Sequence, residues 1–216
     1  MGDIFREIDE ELRQERFEKL WQRYGKVVIG AAVAIVVAVG GVKAFQHYKT
    51  KQLEMHSAQF ASASKLLAEG KSAQAEVLFG NLSGESSSGY AVLSRLHQAA
   101  IKANAGDMLG AVKLYDQIIK DNGVDKSLRE AAIIFSVSRQ LDIGQRDHTN
   151  FVAMLNPLIS EKGAWRYSAL ELRGLIALQD GNLLASRKFF AEISDDLGAS
   201  NNMRTRASQI LAVLGK

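Results

Sequence analysis

The chain alternates apolar and polar positions almost everywhere, with one long exception. Val27 to Val42 reads VVIGAAVAIVVAVGGV, sixteen residues without a polar or charged side chain. As a helix this run covers roughly 24 Å at about 1.5 Å per residue, a little short of a hydrocarbon core of about 30 Å. Its flanks close the gap. Lys26 and Lys43 can bury their methylenes and keep their ammoniums in water, and Ala44 and Phe45 extend the apolar end. Trp21 and Tyr24 stand before the run and Phe45 and Tyr48 after it, where interfacial aromatics belong. A core helix of a soluble protein shows a polar face, and this run has none. A cleaved signal peptide has a short basic start and a small-x-small cleavage site. Here twenty-six residues precede the run and no good Ala-x-Ala follows it, so an uncleaved signal anchor over 26–45 is expected.

Beyond the run the pattern repeats. The segments Gly70-KSAQAEVLFGNL, Gly106-DMLGAVKLYDQI and Gly181-NLLASRKFFAEI align without gaps. Five residues after each Gly stand Ala75, Ala111 and Ser186. Eight after stand Leu78, Leu114 and Phe189, nine after stand Phe79, Tyr115 and Phe190, and twelve after stand Leu82, Ile118 and Ile193. These offsets mark one face of a helix. Gly144 falls between the last two copies, which makes the period about 36–38 residues. The pattern predicts helical hairpins. Each Gly takes the left-handed conformation at the turn, the small residue lets the second helix approach the first, and the aromatic fills the space between hairpins.

First helices are expected near 53–69, 88–105, 127–143 and 164–180, and loops at SGESSSG (Ser83–Gly89) and GASNN (Gly198–Asn202). After Gly144 the apolar residues Phe151, Val152 and Leu155 read as displaced by one position, and Pro157 is expected to interrupt and kink its helix. The last helix puts Met203, Ala207, Ile210, Leu211 and Leu214 on one face, with Arg204 and Arg206 off it. That suits the terminal cap that a repeat stack needs.

Residues 3–24 read as a further helix opened by Asp3. Ile4, Phe5, Ile8 and Leu12 share one face, and Phe17, Leu20, Trp21 and Tyr24 another. A helix lying on a membrane needs a single wide apolar face. Charge is instead sorted along this segment: Asp3, Glu7, Asp9, Glu10 and Glu11 lie far from the span. Arg13, Arg16, Lys19, Arg23 and Lys26 lie near it, where anionic head groups attract them. It reads as a topology signal or as a docking helix for another membrane protein. Within the span, Gly30, Ala34 and Ala38 recur every four residues and offer a small face for helix packing.

Charge sets the expected orientation. Six Lys/Arg precede the run and only Lys43, Lys49 and Lys51 follow closely, which places the N-terminus in the cytoplasm and residues 46–216 outside, in the periplasm of a Gram-negative cell. Residues 46–60 are expected to continue the membrane helix outward. Residues 44–216 carry 20 Lys/Arg against 17 Asp/Glu, too balanced for a nucleic-acid partner. The 216-residue chain has no cysteine, which removes disulfides, thiol catalysis and cysteine-based zinc sites. With one proline and long Ala/Leu/Glu/Lys/Gln-rich stretches it reads as all-α.

No constellation for chemistry stands out. Gly70-Lys71-Ser72 lacks the glycine five positions upstream that a phosphate-binding loop requires, since Lys65 is there. His47, His56, His97 and His148 have no ligand spacing, Asp195 and Asp196 sit at a helix end as solvated carboxylates, and no serine lies on a nucleophile turn. No catalytic residue, metal or cofactor is expected.

The hairpin pattern resembles the tetratricopeptide repeat. The Gly, the Ala five on and the aromatic nine on match its second half. In its first half Ala63, Ala99 and Gly174 supply the small residue seven before each Gly, Val137 departs from it, and the usual Trp and Tyr are missing. A short N-terminal helix, one inward-anchored span and such a domain together resemble the YfgM family, ancillary subunits of the SecYEG translocon. The start GDIFREIDEELRQERFEKLWQRYGK is similar to its alphaproteobacterial branch. The resemblance implies an inner-membrane protein beside the translocon, associated with a periplasmic folding factor of the PpiD type, with no catalytic residues. The expected architecture is a cytoplasmic helix (1–25), a transmembrane anchor (26–45) and a tetratricopeptide-like hairpin solenoid (46–216). The expected function is a translocon-associated scaffold or chaperone partner. The alternative is a periplasmic adaptor for envelope assembly or cell division.

Overall fold

A computed structural model describes residues 3–84, 89–160 and 163–215, with side chains from Trp21 onward except at positions 28 and 32. Among the described residues every element is a helix. They are α1 (Asp3–Ala68), α2 (Ser72–Gly84), α3 (Gly89–Asn104), α4 (Met108–Lys120), α5 (Lys126–Asp142), α6 (His148–Ser160), α7 (Arg166–Gln179), α8 (Leu183–Asp195) and α9 (Asn201–Leu214). The chain is all-α, with a long apolar N-terminal helix and a helical repeat domain. It divides into two units, residues 1–55 and 56–216.

In the first unit, α1 covers the expected N-terminal helix, the apolar run and residues 46–55. Of the two apolar faces read in this helix, the side chains of Ile4, Phe5, Ile8, Leu12, Phe17 and Leu20 lie outside the described ones, while Trp21 and Tyr24 are exposed.

The second unit is a series of hairpins. Residues 56–68 of α1 share a core with α2, α3 pairs with α4, α5 with α6, α7 with α8, and α9 follows. One turn is used four times. Gly70, Gly106, Gly144 and Gly181 all have positive φ, 74–88°, which a side chain would resist. In each, the glycine N–H donates to the carbonyl three residues back. The next residue's N–H donates five back: Lys71 to Leu66, Asp107 to Lys102, Gln145 to Gln140, Asn182 to Ala177. This paired bonding satisfies the carbonyls left open at a helix end.

Capping then sets where the second helix starts. Asp107 accepts from Gly110 N–H at 2.8 Å and Asn182 from Ala185 N–H at 3.0 Å; both directly follow their glycine. In the third hairpin the cap is Asp147, three residues after Gly144, accepting from Asn150 N–H at 3.3 Å. The register of α6 is therefore displaced by two residues, not by one. Phe151, Leu155 and Leu158 are its buried residues, and they occupy the places of Ala111, Tyr115 and Ile118 in α4. Val152 is only partly buried. Pro157 does not interrupt the helix either, because α6 runs on to Ser160. Proline sits in its last turn, where one donor is lost and little helix remains to be deflected.

The regular hairpins close as their sequence requires. Ala63, Ala75, Ala99 and Ala111 are fully buried, as are Phe79 and Phe190, and Tyr115 nearly so. Gly174 shows why the position must be small: a Cβ there would stand 2.7 Å from the Phe190 ring. Its carbonyl also accepts from the buried Ser186 hydroxyl at 2.9 Å. Each aromatic reaches the next helix: Phe79 shares a core with Ile101 of α3, Tyr115 with Ala132 of α5, and Phe190 with Ala207 of α9. Burying such a side chain stabilises by about 1.5–3 kcal/mol.

The loops are shorter than expected. Ser83, Gly84 and Gly89 belong to helices, and residues 85–88 lie outside the described residues. Asn201 and Asn202 open α9, capped by Ser200. In α9, Met203, Ile210, Leu211 and Leu214 pack inward around Ala207, while Asn201, Asn202, Thr205, Ser208 and Gln209 are exposed. This largely polar outer face ends the stack.

Candidate interaction surfaces

Three places were open to function: the span, the scattered ionisable groups, and the faces of the repeat domain. In the span, Val27 and Val42 are exposed, as are Ala34 and Ala38. A Cβ on Gly30 would meet nothing within 4 Å. The small face at Gly30, Ala34 and Ala38 is thus open on α1. Trp21, Tyr24, Phe45 and Tyr48 at its two ends are also half exposed or more. The helix is long and apolar enough to cross a membrane.

The ionisable groups serve packing. His97 stacks on Phe79 with centroids 4.9 Å apart and meets Phe60 edge-on at 5.4 Å. Burial pushes its pKa down, which favours the neutral ring. His148 Nδ1 lies 2.6 Å from Asp180 Oδ1, tying the start of α6 to the end of α7. Lys71 pairs with Glu69 in the first turn, at 2.7 Å. Among the described residues no group of His, Asp or Glu could hold a metal ion.

Asp196 is more than a solvated carboxylate. It accepts from Gly198 N–H and from Arg166 Nη1, both at 2.8 Å, while Arg166 Nη2 reaches Glu192 at 2.6 Å. The Gly198 N–H and then the guanidinium hold the Asp196 carboxyl below its usual range. Arg166 thus latches the start of α7 to the end of α8, a partner that sequence spacing did not signal.

The repeat domain has clefts between its helices. Between α3 and α5 there is a cleft of about 310 Å³. Leu93, Leu96 and Ala100 of α3 wall it on one side and Phe135 of α5 on the other. Tyr115 and His97 bring aromatic rings, and Arg139 stands beside them. A second cleft, of about 380 Å³, runs between Leu178 of α7 and Ile210, Val213 and Leu214 of α9.

Residues 18–212 match the family described as a tetratricopeptide repeat-like domain. The chain belongs to that family. No curated protein and no solved structure matches it. The tetratricopeptide repeat-like match begins ahead of Val27 and so takes in the apolar run as well as the hairpins. A tetratricopeptide repeat-like fold is typically a non-enzymatic scaffold for protein–protein interaction, and an adaptor role follows at that level. Such stacks bind along extended surfaces and need no reactive side chain to do so.

Proposed function

We propose that this protein is an inner-membrane scaffold that works beside the SecYEG translocon, as the YfgM family does, and partners a periplasmic folding factor of the PpiD type. Val27–Val42 anchors it, the N-terminus is cytoplasmic, and the repeat domain faces the periplasm. The observation that carries this reading is the joining, in one chain, of an apolar helix able to span a membrane to an interaction domain. The excess of Lys and Arg before the run supports the orientation, and the similarity of residues 2–45 to the YfgM start supports the location. Membrane helices associate mainly through close packing, so the Gly30, Ala34 and Ala38 face is the proposed contact with a neighbouring membrane helix.

In-cell photocrosslinking from the span and the repeat surface, read by mass spectrometry, tests the assignment. Translocon subunits and a periplasmic folding factor are the expected products, and Ala34→Leu with Ala38→Leu is expected to reduce the span's products without loss of insertion. Products confined to cell-division or envelope-assembly proteins would replace this reading with that of a periplasmic adaptor. Alkaline phosphatase fused after Lys216 is expected to be active and fused after Gly25 inactive; the reverse pattern overturns the orientation.

A further inference from the structure

We propose that the cleft between α3 and α5 receives one aromatic side chain of an extended partner polypeptide, with an acidic residue beside it paired to Arg139. The proposal rests on the scaffold reading above and names the chemistry of what one part of that scaffold holds.

The molecule itself shows what this space accepts. First helices lie side by side, and on either side of this cleft a ring of the chain's own packs between them. Between α1 and α3, Phe60 packs against Tyr90 at 5.7 Å and His97 at 5.4 Å. Between α5 and α7, Trp165 meets Phe135 edge-on at 5.9 Å and anchors by donating its indole N–H to Ser127 O at 3.0 Å. Between α3 and α5 the wall carries Ala100, and the space stays open. Three aromatic groups border it: Phe135, Tyr115 6.0 Å from Phe135, and the His97 ring. Rings packed edge-on or offset on such neighbours gain stability beyond that of the area they bury. At about 310 Å³ the cleft is at the bottom of the roughly 300–1,000 Å³ range of ligand pockets, and it has room for one large side chain.

Charge narrows the occupant further. Arg139 pairs with Asp142 through Nη1 at 3.3 Å, and that pair is about half exposed, a geometry that contributes little. A guanidinium can take a second carboxylate through two parallel hydrogen bonds. An acidic residue next to the docked ring has that donor within the same cleft, where Asp142 and the Tyr115 hydroxyl already meet Arg139 and compete for it.

The test uses the full chain in nanodiscs and fluorescein-labelled peptides read by polarisation. Ser-Gly-Trp-Glu-Gly-Ser is compared with the same peptide carrying Ala for Trp or Lys for Glu. The Trp peptide is expected to bind about tenfold tighter than its Ala form, as anchoring aromatics do. Ala100→Trp fills the cleft from within and is expected to erase that difference. Leu93→Gln makes the wall polar without overfilling it and is expected to weaken the Trp peptide several-fold, with an unchanged circular dichroism spectrum. Arg139→Gln is expected to remove the preference for Glu over Lys while keeping that for Trp, and Asp142→Asn to strengthen the Glu preference. Equal binding of the Trp and Ala peptides, or wild-type binding by both Ala100→Trp and Leu93→Gln, overturns the proposal. If that happens while crosslinks from the repeat surface still reach other polypeptides, the scaffold reading stands and only this cleft is lost.

Discussion

The hairpins α7/α8 and α5/α6 share the same turn, down to the two backbone hydrogen bonds around Gly181 and Gly144, yet they fill their interfaces in opposite ways. In α7/α8 the two small residues are Gly174 and Ser186, and the large one is Phe190, whose ring lies where a Gly174 side chain would be. In α5/α6 the small places hold Val137 and Phe151, and the aromatic place holds Leu155, all fully buried. The two helices meet over fewer residues than α3 and α4 or α7 and α8 do. Close approach with one deep ring, and wider separation filled from both sides, are alternative solutions to the same requirement of a packed interior. What distinguishes them locally is two residues, Gln145 and Arg146, placed between turn and cap.

The largest expected effects come from emptying the two interiors. In thermal unfolding of the full chain, Phe190→Ala is expected to cost about 3–5 kcal/mol and Leu155→Ala about 2–5 kcal/mol, with Phe190→Ala the greater, because α8 holds its ring directly against backbone. A larger loss from Leu155→Ala would reverse the comparison. Where the hairpins agree, their responses should too. Gly181→Ala and Gly144→Ala each force an L-residue to a φ of 74–75° and are expected to cost about 1–2 kcal/mol apiece. A difference between them of more than about 1 kcal/mol would mean that the shared turn is not equally strained.

The smallest expected effect is a pH dependence confined to one hairpin. The folded pKa of Asp196 is lowered below 3.8 by Gly198 N–H and then Arg166. Its contribution is therefore fully present above that value and is lost as pH falls through the folded one. Asp196→Asn is expected to flatten part of the acid limb of stability below about pH 4 and to leave the curve near neutrality unchanged. An unchanged acid limb in the variant would remove the Arg166 latch from the account.

Much of this was legible in the chain alone. Its determinants are short-range: a run without polar residues, a helical offset of small and aromatic residues, and glycines where a helix must end. Each rests on the chemistry of a few neighbouring residues, and so the apolar helix, the hairpins, the four left-handed turns and the buried Phe79, Tyr115 and Phe190 could all be read before any contact was known. The register of α6 could not. Phe151 and Leu155 fit two alignments, and the choice fell to Asp147 as the cap, which depends on how the turn closes. Nor could Arg166, whose partners Glu192 and Asp196 lie on another helix. The cleft is the clearest case. Ala100 and Phe135 are ordinary residues on separate helices, and whether the space between them is filled or open is decided only when those helices lie side by side. Pattern specifies which face of a helix turns inward, but packing specifies what that face meets.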